Sequence, residues 1–300
     1  MPSPEFTAVL ALMGDASPFA PGAEVSVLRE GMEAMMGAMP APAGMKAEPI
    51  SAGGVPAEWI SFTDSDTSRA LLYLHGGGYV IGSIATHRAL AGRLARELGC
   101  RVLILDYRLA PENPHPAAVE DALAACRFLR DSGIAPDKTV IAGDSAGGGL
   151  TVATLLALRD AGEPLPAAAA GLSAWLDLAG TGPSNTEKAA VDPVVTMEGL
   201  LEMAGWYLGE QAASDTPTAS PLYADPSGLP PLLLQVGEAE VLRDDSTRFA
   251  AKAKEAGVSV QLEVWPDMVH VWHAFGDDVP ESRDAVAGLA QFLNKHVSTS

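Results

Sequence analysis

Cysteine is nearly absent from this 300-residue chain: Cys100 and Cys126 are the only two, and they form no C-x-x-C spacing. A disulfide framework and a cysteine-built zinc site are therefore excluded, and buried free thiols are expected. Basic residues are scarce too. Nineteen Lys and Arg face 38 Asp and Glu, giving a formal net charge of −19 and a pI near 4.5. Nucleic acid recognition needs clustered Lys and Arg, so that class of partner is excluded. An acidic surface favours solubility and fits salt tolerance, without naming a substrate. No apolar run reaches 18 residues, so no membrane partner is expected. The opening stretch, MPSPEFTAVLALMGDASPFAPG, lacks the basic start and long apolar core of a signal peptide, and the expected location is the cytoplasm. Internal repeats and low-complexity tracts are missing as well.

What is present is core material. Hydrophobic residues make up 48% of the chain, enough for one large α/β domain. Continuous apolar runs at 69–75, 100–107, 139–145, 167–175, 231–237 and 258–265 read as buried parallel strands. Helical patterns lie between and after them, at 86–99, 116–132, 146–162, 245–256 and 281–296. Repeated β-α-β units predict a mostly parallel, doubly wound sheet with helices on both faces. Two segments break the alternation. Residues 1–45 are helical and rich in Met, Ala and Pro, and residues 180–215 form a long insertion with a helix expected at 197–209. Either they pack on the surface or they form a lid over a site.

One stretch, LLYLHGGGYVIG (71–82), runs a buried strand into a histidine and three glycines. Glycine costs the most backbone freedom on folding, so three at a strand end suggest that backbone N–H groups must meet a ligand. A second stretch, VIAGDSAGGGL, contains Gly143-Asp144-Ser145-Ala146-Gly147. The G-x-S-x-G pattern alone carries little. Here a strand precedes it and an apolar helix follows at once, the setting in which a serine sits on a sharp turn with its hydroxyl above the sheet. Ser145 is therefore the candidate nucleophile.

A serine hydroxyl needs a base to take its proton, and the base needs an orienting acid. In this setting the chain order is serine, acid, histidine. Among the six histidines, His270 and His273 in WPDMVHVWHAF follow the last strand and compete for the base. For the acid, LLLQVGEAEVLRDD offers Glu238, Glu240, Asp244 and Asp245. Asp244 and Asp245 open a helix, where a carboxylate has a structural use as a cap, whereas Glu240 lies in the turn itself. Attack on a carbonyl places negative charge on its oxygen, and the glycine-rich loop supplies a place to stabilise it.

Taken together, HGGGY (75–79), DYRLAPE (106–112), GDSAGG (143–148), SPLYADPSGLPPLLLQVG (220–237) and DMVHVWHAF (267–275) resemble the bacterial hormone-sensitive-lipase-like (family IV) esterases. The resemblance spans about 46–296 in the right order. It implies an α/β-hydrolase fold, with 46–179 and 216–300 as the catalytic domain and 1–45 and 180–215 as a helical cap. It implies Ser145 as nucleophile, His270 as general base in the D-x-x-H pattern, and the N–H groups of Gly77, Gly78 and Ala146 as the oxyanion hole. Where family members commonly carry an aspartate in a D-x-L-x-D segment, this chain has Glu240-Val-Leu-Arg-Asp244, so Glu240 takes the acid's place. Asp106, Arg108 and Glu112 resemble positions that brace the oxyanion loop.

The resemblance implies a carboxylic ester hydrolase working through an acyl-enzyme, with a small-molecule ester as its partner and neither cofactor nor metal. Amidase, deacetylase or lipase activity would use the same apparatus, and a non-catalytic receptor of this fold is the non-enzyme alternative. Met35, Met36, Trp206 and Tyr207 are the expected pocket residues, and the Met32–Met39 patch is either packing or an adaptable substrate-facing surface. A closed cap predicts preference for acyl chains of roughly four to six carbons, since added methylenes gain about 0.8 kcal/mol each only until the pocket is full. By analogy, a homodimer pairing along 258–265 is expected.

Overall fold

In the computed structural model, which describes residues 1–13 and 21–298, two helices precede any strand: α1 (Pro4–Met13) and α2 (Val25–Met36). Residues 14–20 of the expected cap segment lie outside the described residues. On α2 the buried residues, Leu28 and Met32, are four apart, so one stripe faces inward and the rest meets solvent.

β1 (Lys46–Ala52) and β2 (Val55–Ser61) then form an antiparallel hairpin closed by Gly53-Gly54. From there strands and helices alternate: β3 (Asp66–Leu74), α3 (Ile84–Leu98), β4 (Cys100–Leu105), α4 (Ala117–Asp131), β5 (Thr139–Asp144) and α5 (Ala146–Asp160). After β6 (Ala168–Leu172) comes the insertion, with α6 (Ser184–Glu187) and α7 (Met197–Leu208). The alternation resumes with β7 (Leu232–Gly237), α8 (Arg243–Glu255), β8 (Val260–Trp265) and α9 (Pro280–His296). Local chemistry sets several ends. Ser83 caps α3 by accepting from the N–H groups of Ala85 and Thr86 while Thr86 answers in a capping box, and Gly99 closes the helix at φ 65°.

The sheet order is β1-β2-β4-β3-β5-β6-β7-β8, with β2 antiparallel to β1 and β4 and every other pairing parallel. This bears out the mostly parallel sheet and adds two strands to the six apolar runs. β1 was illegible because it is mostly exposed and its sequence, KAEPISA, mixes polar residues with Ala and Pro, so no apolar run marks it. The run at 167–175 overstates β6, which stops at Leu172 because Ser173 turns at φ 49°.

Central strands bury both faces. On β3, Leu72 and Leu74 join the core under α4, α5 and α8, while Leu71 and Tyr73 join the core under α3 and α9; all four are fully buried. β3 pairs with β4 on one side and β5 on the other, so the chain's winding reverses there. Loops leaving the carboxyl ends of β3 and β5 diverge and open a crevice, where ligands bind in open α/β sheets. HGGG follows β3 and Ser145 follows β5, so the winding alone brings the two motifs together. No described helix is long and apolar enough to cross a membrane.

Candidate active site

Ser145 sits between β5 and α5 at φ 51° and ψ −120°, a conformation L-residues rarely adopt. The turn can be that tight because Gly143 and Gly147, two residues to either side, have no side chains. A Cβ on Gly147 would lie 2.0 Å from the Leu74 carbonyl oxygen, and one on Gly143 would lie 2.3 Å from that of Gly147. Backbone bonds brace the strain: Ser145 N–H donates to Leu172 O at 2.8 Å, and its carbonyl accepts from Trp175 and Gly149 N–H at 2.9 and 3.1 Å. The hydroxyl is buried and has no hydrogen-bond partner.

Beside it, the glycine loop is braced through its carbonyls and through Gly76 N–H. Gly77 O accepts from Val80 and Ile81 N–H, Tyr107 donates to His75 O at 2.7 Å, and Gly76 N–H donates to Asp144 Oδ1 at 3.1 Å. Gly77 lies at φ 117°, where a Cβ would collide with Ile81 O at 2.2 Å, so only glycine can make this bend. The N–H groups of Gly77, Gly78 and Ala146 are taken up by no hydrogen bond among the described residues. Asp144 anchors the arrangement from below, also accepting from Tyr73 Oη at 2.6 Å and facing His87 Nε2 at 3.3 Å. Burial alone would raise its carboxyl, but His87 and the Tyr73 hydroxyl outweigh that and bring it to about 2.

The loop after β8 delivers His270, buried, with Nδ1 3.0 Å from Glu240 Oε2. Its Nε2 has no partner. Glu240 is fully buried in the turn after β7, and its Oε1 accepts from Ser173 Oγ at 2.7 Å and Gly237 N–H at 2.5 Å. Burial works against a charged imidazole, yet the bond to Glu240 and its negative charge hold His270 above the ordinary imidazole range. His273, three residues on, has a different environment. Its Nε2 faces the neutral Gln235 amide oxygen at 3.0 Å, and burial pulls its pKa down to about 3.

The structure thus brings Ser145, His270 and Gly77 to one cavity of about 70 Å³ and sets Glu240 behind the histidine. Met35 and Met36 line it together with Met32 of the same methionine patch, joined by Met13 and Val194, which carried no such expectation. Trp206 and Tyr207 lie outside this lining. Tyr207 is turned into the core, stacked on Tyr79 with ring centroids 3.9 Å apart, and Trp206 packs half-buried against the same core. Asp244 is no caller on the histidine: its carboxylate accepts from Ser184 N–H at 2.9 Å, capping the insertion rather than its own helix. Asp245 accepts from Leu176 and Asp177 N–H at 2.8 and 2.7 Å.

Two bracing residues carried no signal in the sequence. Ser173 donates to Glu240 Oε1 and accepts from Val271 N–H at 3.0 Å, tying the acid to the histidine loop. Arg29 on α2 donates to Val80 O at 2.9 Å and Ala110 O at 3.0 Å and pairs with Glu112, pinning the cavity's helical wall to the glycine loop. Glu112 therefore braces that loop through Arg29, while Arg108 instead grips Asp121 at 2.8 Å. Among the described residues no group of three or more His, Cys, Asp and Glu is arranged to hold a metal ion.

A strained serine at a strand–helix turn, an acid-oriented histidine and a loop of unpaired backbone donors at a sheet's switch point define a hydrolase of the α/β class. Comparison with known proteins agrees. A family model described as the alpha/beta hydrolase fold matches residues 71–274. An acetyl-hydrolase from Streptomyces hygroscopicus is 48% identical over 246 residues, 81% of each chain. The crystal structure of an esterase from the bacterial hormone-sensitive lipase family superposes with a TM-score of 0.95 at 48% identity, covering 99% of this chain and 100% of that one. A structure of EstE5 soaked with p-nitrophenyl butyrate gives a TM-score of 0.93 at 43% identity, with the same coverage. The chain belongs to the α/β-hydrolase fold family, among the bacterial hormone-sensitive-lipase-like esterases, and it is a carboxylic ester hydrolase.

Proposed function

We propose that Ser145, His270 and Glu240 are the catalytic triad of this hydrolase and that its substrates are esters of short acyl chains. The observation that carries the reading is one juxtaposition. His270 Nδ1 is engaged by Glu240, and the two groups left buried without partners, His270 Nε2 and Ser145 Oγ, line the same cavity.

With Nδ1–H donated to Glu240, the imidazole is held in the tautomer whose Nε2 accepts a proton. Ser145 Oγ attacks the ester carbonyl carbon as Nε2 takes its proton, giving a tetrahedral oxyanion. The N–H groups of Gly77, Gly78 and Ala146 are free to stabilise that oxyanion, and each such donor contributes roughly 3–4 kcal/mol. The imidazolium returns the proton to the leaving alkoxide, which departs as the alcohol and leaves an acyl-serine. Water repeats the sequence: Nε2 takes its proton, the oxygen attacks the acyl carbon, and the acid leaves with Ser145 reprotonated.

The acyl preference rests on the cavity. Its helical wall is methionine and valine, and a cavity of about 70 Å³ admits only a few water-sized groups. Acetyl to butyryl groups fit such a space, which is also the size named by an acetyl-hydrolase and a p-nitrophenyl butyrate soak among its relatives. The exposed edge strand β8 supports pairing of two copies along Val260–Trp265, which sedimentation would test. The function itself is tested with p-nitrophenyl esters from acetate to decanoate on wild type and Ser145→Ala. kcat/KM should peak at or below about six acyl carbons, with each useful methylene worth about 0.8 kcal/mol, and vanish in the variant. A rise sustained through decanoate would sink the short-chain reading, and an active Ser145→Ala would sink the triad.

A further inference from the structure

The turn that carries Glu240 is held from the insertion between β6 and β7. Val241, the next residue, has both of its peptide groups engaged by that insertion. Its N–H donates to Asp192 Oδ2 at 2.9 Å, and its carbonyl accepts from Ser184 Oγ at 2.6 Å and Asn185 Nδ2 at 2.9 Å. The other oxygen of Asp192 accepts from Val194 and Val195 N–H at 3.0 and 3.2 Å. Val194 is the insertion's contribution to the cavity lining. One buried carboxylate therefore joins a substrate-facing wall to the residue after the candidate acid.

We propose that Asp192 is a positioning residue of the hydrolytic site, fixing Glu240 through Val241 N–H and setting Val194 in the cavity wall with the same carboxylate. The inference rests on the Glu240–His270 reading above. Three backbone N–H donors converge on its two oxygens, so an acceptor is required on both sides. Asparagine would turn an NH₂ group toward one of those donors and leave both unsatisfied. The carboxylate also adds negative charge near His270. Burial of the ring opposes the imidazolium, while Glu240 from the turn after β7, Asp192 from the insertion and Asp144 from the end of β5 all favour it; His273 on the same loop is kept neutral by its own burial. His87 of α3 faces the same cavity.

The test measures kcat per active site, counted by stoichiometric organophosphate titration, for wild type, Asp192→Asn, Glu240→Gln and the double variant. The substrate is p-nitrophenyl butyrate, and kcat/KM is followed across pH. Asp192→Asn should lower kcat per titrated site about 10- to 100-fold, as expected for a misplaced catalytic group. Its acid limb should move to lower pH, because removing an anion lowers the pKa of His270. In the Glu240→Gln background the same substitution should cost less than about threefold, since the group it positions is already gone. An unchanged kcat per site and limb, or a loss explained by fewer titratable sites, would make Asp192 merely structural and overturn the proposal. So would a fully additive loss in the double variant. Separately, wild-type kcat in Glu240→Gln itself would remove the triad reading, whatever Asp192 does.

Discussion

Two walls enclose the cavity above Ser145, and they are built on opposite principles. The sheet-borne wall is polar, strained and braced by hydrogen bonds behind its unpartnered reactive groups: Ser145 lies at φ 51°, Gly77 at φ 117°, and Asp144 alone accepts from Tyr73 and Gly76 while facing His87. The helix-borne wall is apolar. Met13 comes from α1, Met32, Met35 and Met36 from α2, and Val194 from the insertion; the side chains it turns to the cavity offer no hydroxyl, amide or charge. The first wall has the rigidity that preorganised charge stabilisation requires. The second has the flexibility of unbranched thioether side chains, which adapt to a substrate's shape. On the proposed reading, chemistry belongs to one wall and selection to the other.

The comparison breaks most sharply on the polar side. Ser145→Ala should lower kcat on the order of 10⁶-fold, because a triad acts as a unit. His270→Ala should fall comparably, while His273→Ala should keep most of its kcat per active site and lose stability, its ring being buried against Trp272 and bonded to Gln235. Steady-state kinetics on folded, titrated protein decides it, and the reverse ranking would exchange the roles of the two histidines. Next in size, Glu240→Gln should cost about 10⁴-fold in kcat through the wrong tautomer. It should also lower the acid limb of kcat/KM. In the wild type that limb lies above the usual imidazole range, because Glu240 holds His270 up, and activity is lost as pH falls through it.

On the apolar side effects should be small and should change selectivity. Met32→Ala or Met36→Ala should shift the acyl optimum toward longer chains, each newly accommodated methylene being worth about 0.8 kcal/mol, or about fourfold in kcat/KM. Acetate turnover should change little. If these variants instead lose activity on every ester equally, the helical wall takes part in the chemistry and the division fails.

An effect on stability, with none expected on turnover, lies outside both walls, at Asp245. Burial pushes its carboxyl up to about 8, and its Oδ1 has no partner. The folded state therefore keeps a proton that the unfolded chain releases near pH 4, so stability from this group declines as pH rises from about 4 to 8. Asp245→Asn removes that titration. Its melting temperature relative to wild type should improve between pH 5 and pH 8, and a constant difference would mean Asp245 is already ionised.

Legibility followed the same division. The polar wall was readable because its demands are local: a strand end bearing HGGG, a serine with a glycine two residues to either side at a strand–helix junction, a histidine after the last strand. Chain order narrowed the acid to Glu238, Glu240, Asp244 and Asp245, and the turn position and the family resemblance pointed to Glu240. The apolar wall was only half readable, since a helical pattern shows which residues are apolar but not which partner they meet. Met35 and Met36 face the cavity, while Tyr207, equally bulky, faces Tyr79 in the core. Ser173 and Asp192 were invisible for a different reason. Their partners stand 67 and 49 residues away in sequence, and a single serine or aspartate in a loop carries no pattern. β1 escaped because an exposed strand of mixed composition has no continuous apolar run to detect.

The central claim is that the polar wall performs the chemistry through an acyl group carried on Ser145. Acid-quenching the enzyme during turnover of p-nitrophenyl butyrate and mapping the adduct by peptide mass spectrometry tests it directly. A single butyryl group on the peptide containing Ser145, formed at the rate of the p-nitrophenol burst and absent from Ser145→Ala, is the predicted result. A butyryl group on any other residue, or full turnover with no covalent adduct at any quench time, would contradict the account.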